Sequence, residues 1–368
     1  MRLKPLPLLL TAVVAIVAIA SLVGVRQAAR AANGTVAAAV DRGGGRYGLS
    51  TVGLSYPFAA AIAKGFTEAA ARAGAAAIVL DAQGGVQKQA NDIDDLIAQR
   101  VDGIAIMPLD SVVAEGWVRR ANKAGVPIAA VAALVGDPRT RSVTDVYPGL
   151  VALASQDEVL AGRKAGELAF RLLPQDRVAS IAIIEGAAGF PEVEQRARGF
   201  REALDAAHAR YRIVASQPGN WTPEGGEAAC QNILAAHPYV DLFYNEADDM
   251  VIGCARAVRA AGSDARLIGV GGSKLAVASI KAGAVDGTVC FKPEALGALA
   301  FEALHEAAIG EASRQTNSYL PRRRPGPSID RPATGPRPSP GKGFEGRFLT
   351  YPIPAVTQAN VAECVGQW

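Results

Sequence analysis

The side chains best able to form covalent bonds in this 368-residue chain are four cysteines, Cys230, Cys254, Cys290 and Cys364. Their wide spacing contains no CxxC pair, and none of His208, His237 and His305 lies at metal-ligand distance from them in sequence. A zinc site is therefore not expected, and an even number of cysteines is compatible with disulfides in an exported protein. Catalytic patterns are missing too: the chain has no G-x-S-x-G, no Walker loop and no H-E-x-x-H. Gly186-Ala187-Ala188-Gly189 has a faint likeness to a dinucleotide loop but lacks the three-glycine spacing. No enzyme, cofactor or metal is therefore expected, and an exported α/β enzyme is the weakest alternative.

The elements that would carry a binding site can be read from periodicity. Half of the residues are hydrophobic but only 6% are aromatic, which suits a helix-rich α/β chain better than an all-β one. A net charge of +3 gives no concentrated basic face, so no nucleic-acid partner is expected. Strands are expected at Tyr47 to Leu54, Ala76 to Leu80, Gly103 to Met107 and Val126 to Val131. Helices over Ala59 to Ala73, Val86 to Gln99 and Ser111 to Ala124 alternate with them. The alternation restarts at Ile181 and continues through Tyr211, Asp241, Arg266 and Gly287. This predicts two doubly wound parallel-sheet lobes, each binding ligands beyond the carboxyl ends of its strands, joined by a hinge.

Both ends of the lobe region have their own character. Arg2 and Lys4 precede an apolar run from Leu6 to Val25, and Ala29-Arg30-Ala31 follows as a peptidase-type site. Residues 1–31 read as a signal peptide and 32–45 as a Gly-rich spacer. The apolar run also matches the ~20 residues of a membrane span, so an uncleaved anchor is the rival reading. Either way the body lies outside the cytoplasmic membrane. Between 315 and 347, Pro321-Arg322-Arg323-Arg324-Pro325 and Gly335-Pro336-Arg337-Pro338 predict an extended loop. It reads as a solvated linker or as a docking patch for an anionic membrane. Apolar patterning returns from Phe348 to Val356 as one last strand or extended segment.

Several segments, in order, carry a likeness. They include Ser50-Thr51 with Tyr56-Pro57-Phe58, Val79-Leu80-Asp81-Ala82-Gln83, Met107-Pro108-Leu109-Asp110-Ser111 and Ala124-Gly125-Val126-Pro127-Ile128. Gly199-Phe200, Ser216-Gln217-Pro218, Gln231-Asn232-Ile233-Leu234 and Asp248-Asp249-Met250-Val251-Ile252-Gly253 continue the series. Together they resemble the type I periplasmic sugar-binding proteins, the ribose-binding group. The resemblance implies three crossings between lobes, near Ser155, near Phe291 and at or after the Pro-rich stretch. The first lobe would then comprise 46–154 with 292–314, and the second 155–291 with 348–368. It implies the substrate-binding component of an ABC importer, a monomer serving a membrane permease from the periplasm. A sensing module for a chemoreceptor or sensor kinase is the alternative.

By the same resemblance, Tyr56 and Phe58 from one lobe and Trp221 from the other would sandwich a small solute. Where ribose binders carry polar partners, this chain has Ala132-Ala133, Ala247, Gly271 and Phe291. The arginine expected on the second lobe's helix is aligned with Glu194. Asp110, Gln156, Asp157, Glu194, Glu246 and Asp248 remain as polar groups near the cleft rim. The expected ligand contacts are thus Tyr56, Phe58, Asp110, Gln156, Glu194, Trp221, Glu246 and Phe291. A modified sugar, polyol or amine-bearing solute is favoured over free ribose. Cys230 and Cys254 fall on consecutive helices of the second lobe. Cys290 ends one of its strands and Cys364 lies in the returning tail. The pairs Cys230–Cys254 and Cys290–Cys364 are expected.

Overall fold

In the computed structural model, residues 44–317 and 346–368 are described. The expected signal peptide, most of the spacer and nearly all of the Pro/Arg-rich loop lie outside the described residues. The first lobe opens with β1 (Arg46–Thr51), α1 (Pro57–Arg72), β2 (Ala76–Asp81), α2 (Val86–Ala98), β3 (Gly103–Ile106), α3 (Ala114–Lys123), β4 (Ile128–Val131) and β5 (Ala152–Ala154). The second follows with α4 (Glu158–Leu172), β6 (Ala179–Glu185), α5 (Pro191–Ala206), β7 (Tyr211–Pro218), α6 (Pro223–Ala236), β8 (Leu242–Asn245), α7 (Asp248–Ala260), β9 (Arg266–Gly271), α8 (Lys274–Lys281) and β10 (Gly287–Cys290). Then come α9 (Pro293–Asn317), β11 (Arg347–Leu349) and β12 (Ala355–Thr357).

These strands make two sheets with matching layouts, β11-β5-β4-β3-β1-β2 and β12-β10-β9-β8-β6-β7. Pairing is parallel except for β12, which runs antiparallel to β10. Buried strands such as Gly103–Ile106 and Leu242–Asn245 are covered on both faces, as all-parallel sheets require. In α1, Ala59, Ile62, Ala63, Phe66 and Ala70 recur at helical spacing and are buried in one stripe. That stripe and α9 form one face of the first lobe's core, while α2 and α3 cover the other. The second lobe repeats the scheme, with α4 and α5 on one face and α6, α7 and α8 on the other.

Two differences from the sequence reading matter for the site. No element was expected between Val131 and Ile181, yet β5 and the long helix α4 lie there. The stretch from Phe348 to Val356 is two strands rather than one: β11 extends the first sheet beside β5, and β12 extends the second. The last crossing therefore runs through residues 350–354, and 348–349 belong with the first lobe rather than the second. Helix α9 also reaches Asn317, past the boundary expected at 314.

Candidate functional site: an inter-lobe cleft

A cavity lies between the lobes. Its walls come from residues just beyond the carboxyl ends of strands. Val52, Tyr56 and Phe58 follow β1, Met107 follows β3, Ala132 follows β4 and Gln156 follows β5. From the second lobe, Trp221 follows β7, Ala247 and Asp248 follow β8, Gly271 ends β9 and Phe291 follows β10. Two wall residues, Ala132 and Trp221, hold positive φ of 65° and 61°, which non-glycine residues rarely adopt.

The rings are held by specific neighbours. Phe190, at the start of α5, meets Trp221 edge-on with centroids 6.0 Å apart. Across the cleft, Phe58 meets Phe291 at 6.3 Å. Gly186 lies flat beneath the Trp221 indole, since a Cβ there would come within 1.9 Å of two ring carbons. This close approach explains the first glycine of the Gly186-to-Gly189 loop, whose likeness to a nucleotide loop is coincidental.

The polar centre is Arg196, buried among aromatic faces. Its guanidinium carbon lies 5.6 Å from the Trp221 ring centre and 5.2 Å from that of Phe291. Nε donates to Glu158 at 2.6 Å, and NH1 donates to the Glu246 carbonyl at 2.5 Å. The other Glu158 oxygen accepts from Gln156 Nε2 at 2.6 Å. Side-chain exposures of 9% for Arg196 and 3% for Glu158 make this a desolvated pair. Burial disfavours its charge, but the Glu158 carboxylate outweighs that and holds the guanidinium protonated. Removing one member of such a pair costs about 3–5 kcal/mol, because the other is left buried and unpaired.

Acidic groups around this pair are pushed upward by burial. Glu192 is raised to about 7, by burial first and the Glu158 charge second. Part of its stem remains accessible, but Oε2 is covered and has no hydrogen-bond partner. Asp248 and Asp249, both on the wall, are raised to about 6 by burial. The Asp248 carboxylate spans two loops, accepting from Ser273 N at 2.8 Å, Gly272 N at 2.5 Å and Thr288 Oγ1 at 2.7 Å. It is not the cap of α7, whose N-cap position is Ala247.

Of the eight expected contacts, Tyr56, Phe58, Gln156, Trp221 and Phe291 line the cavity; three do not. Asp110 caps the turn into α3, its Oδ1 accepting from Val112 N and Val113 N at 2.9 Å. Glu194 points outward from α5 and is exposed. Glu246 is wholly buried behind the wall, where Oε2 accepts from Gly186 N at 2.9 Å and burial raises the group to about 8. The arginine that this helix brings into the cavity wall is Arg196, two residues beyond Glu194. Helical spacing carries the signal, since Arg196 shares a stripe with buried Gly199 and Phe200, whereas Glu194 sits about 200° around from Arg196. Glu158, Glu192, Asp249, Phe190 and Trp368 are further lining residues that the sequence reading did not place.

The covalent ties lie outside the cavity. Cys230 is bonded to Cys254 with Cα atoms 5.3 Å apart, and Cys290 to Cys364 at 5.7 Å. No cluster of His, Cys, Asp and Glu among the described residues could hold a metal ion.

A family profile described as "Periplasmic binding protein domain" matches residues 47–312. The ribose import binding protein RbsB of Bacillus subtilis is 31% identical over 271 residues, covering 74% of this chain and 84% of the relative. The D-allose-binding periplasmic protein of Escherichia coli is 29% identical over 258 residues, covering 69% and 81%. Among solved structures, a solute-binding protein from Bacillus halodurans with bound myo-inositol aligns with TM-score 0.70 at 21% identity. That alignment covers 88% of this chain and 98% of the other, a likeness of fold.

Proposed function

The chain belongs to the family of periplasmic binding protein domains, and we propose that it is the substrate-binding component of an ABC importer, loading one sugar-like solute into the inter-lobe cleft. The observation that carries the reading is the cavity itself. Aromatic faces from both lobes converge on a single buried, paired arginine beyond the strand ends. Flat rings suit the C–H faces of a sugar or polyol, and the guanidinium and carboxyl groups suit its hydroxyls. Delivery to a membrane permease from the periplasm follows from this role. None of the described helices is long and apolar enough to cross a membrane.

The solute class follows from which wall positions are apolar. Ala132, Ala247, Gly271 and Phe291 offer no side-chain partner to a hydroxyl. Each sugar hydroxyl buried without a partner costs about 1–3 kcal/mol. The unpartnered Gln156 Oε1 and Glu192 Oε2, together with Asp249, favour a solute rich in donors. A modified sugar, polyol or amine-bearing solute fits better than free ribose.

A thermal-shift screen over D-ribose, D-allose, xylitol, myo-inositol and their amine-bearing analogues tests this, because binding to the native state raises the melting temperature by mass action. At least one polyol or aminated compound should shift the melt, and calorimetry should give one site. Tight, saturable binding of D-ribose alone would overturn the solute class. No shift from any compound would overturn the binding reading.

A further inference from the structure

Beyond β12 the chain returns to the cleft by a route that neither lobe's strands supply. A 3-10 turn at Val361–Glu363 leads to Cys364, which is bonded to Cys290 at the end of β10. From this anchor the segment reaches both lobes. The Gln367 side-chain oxygen accepts from Glu294 N at 3.0 Å, in the first turn of α9 on the first-lobe side. The Trp368 carbonyl accepts from Lys274 N at 2.8 Å, at the start of α8 in the second lobe.

The Trp368 indole ends up in the wall of the cavity. It meets Phe58 of the first lobe edge-on, with centroids 5.4 Å apart at 88°. Its Nε1 is buried beside the Asp249 carboxyl, whose ionised form it favours. Space for the ring and its anchor comes from two adjacent glycines. A Cβ on Gly271 would lie 3.0 Å from the indole, and one on Gly272 would lie 2.6 Å and 2.7 Å from the two bridge sulfurs. A side chain at Gly272 would displace the bridge sulfurs, and one at Gly271 would press on the indole.

We propose that Trp368 is a specificity-determining contact for the captured solute, kept in the cleft by the Cys290–Cys364 bridge. The inference rests on the cleft being the solute site. A ring carried by a tail segment must be ordered before it can form a wall, and ordering costs entropy each time it docks. The bridge, with the hydrogen bonds from Glu294 and Lys274, makes that ordering part of folding rather than of binding. With Phe58 and Phe291, the indole then sets the width of the slot, and its N–H stands beside Asp249 at the solute's edge.

The test is calorimetric titration of D-ribose, D-allose, xylitol and myo-inositol into the wild-type protein, Trp368→Leu, Trp368→Phe and the double variant Cys290→Ala/Cys364→Ala, with melting curves of each unliganded protein. Trp368→Leu should weaken the tightest of the four at least 10-fold and change their rank order. Trp368→Phe keeps a ring without the N–H. It should melt close to wild type, because the ring and its edge-on contact with Phe58 are kept, yet still bind more weakly. A merely structural ring would lower the melt and leave affinity and rank order intact. If Trp368→Leu does not fold, Trp368→Phe decides: unchanged affinities and rank order overturn the proposal. The double variant should lose affinity several-fold with Trp368 still present, and wild-type affinity there would overturn the role of the bridge. If the wild-type protein binds neither the four nor their amine-bearing analogues, the reading of the cleft falls, and this inference with it.

Discussion

Charge placement at single residues makes the cleft sensitive to pH. The Glu192 carboxyl is raised from 4.5 to about 7. Between those values the native state holds a proton that the unfolded chain has released, so this group's contribution to stability is present at low pH and lost as pH rises through 7. Glu192→Gln should therefore gain on wild type as pH increases. The two melting temperatures should be close at pH 5 and diverge by pH 8, with the variant higher by about 2–4 °C for each kcal/mol removed. A constant gap between pH 5 and 8 would mean that Glu192 ionises normally. Gly186 supports a second prediction at this scale. An added Cβ lies 1.9 Å from the half-buried Trp221 ring and would push it from its place against Phe190 and Arg196. Gly186→Ala should weaken solute binding about 10-fold or more while the melt changes by only a few degrees. Equal binding in calorimetry would remove the Trp221 face from the site.

Among the elements, helix pairs are what bring the charged centre together. Helices α4 and α5 approach so closely that a Cβ on Gly162 would meet the Arg196 carbonyl at 2.1 Å, and one on Gly199 the Val159 carbonyl at 2.0 Å. That contact sets Glu158 at the start of one helix against Arg196 on the other. Helices α6 and α7 are instead joined covalently by Cys230–Cys254, both ends of which are fully buried. Closing a loop with a sequence separation of 24 residues stabilises by about 3 kcal/mol in the chain-entropy description. Cys230→Ala/Cys254→Ala should lower the melt by several degrees in chemical and thermal unfolding; an unchanged midpoint would show that packing alone holds this pair. How legible these elements were depends on length and spacing. Strands such as Ala76–Asp81 stood out as short apolar runs between amphipathic helices. Strand β5 did not: its three residues, Ala152–Ala154, follow a long polar stretch, and their place is set by pairing with β4. Arg196 was missed by reading along the chain rather than around the helix. Trp368 had no local signal, since the ring reaches the cleft only through the bridge and the tail's contacts with α8 and α9.

At the scale of the molecule, three crossings side by side decide how the lobes can move. The first runs from β5 into α4, the second from β10 into α9 and the third through residues 350–354. They are tied to one another. Ser155 N donates to the Leu349 carbonyl at 2.9 Å, and Lys292 N donates to Tyr351 Oη at 2.6 Å. A triple connection of this kind prevents independent tumbling but leaves bending about one axis, in which small φ/ψ changes at the crossings swing whole lobes. Rings from both lobes already meet at the base of the cleft, Phe58 with Phe291 and Trp368. A solute bound above that contact would touch both walls and favour the state in which they are nearest, and it can shift that balance only by its differential affinity for that state. Saturating solute, at about 100 times its dissociation constant, should raise stability by about 2.7 kcal/mol. Small-angle scattering on the same samples should show the radius of gyration falling as the cleft closes. A full thermal gain with an unchanged scattering profile would mean that solute enters a cleft already shut, and that opening, rather than closure, limits its capture.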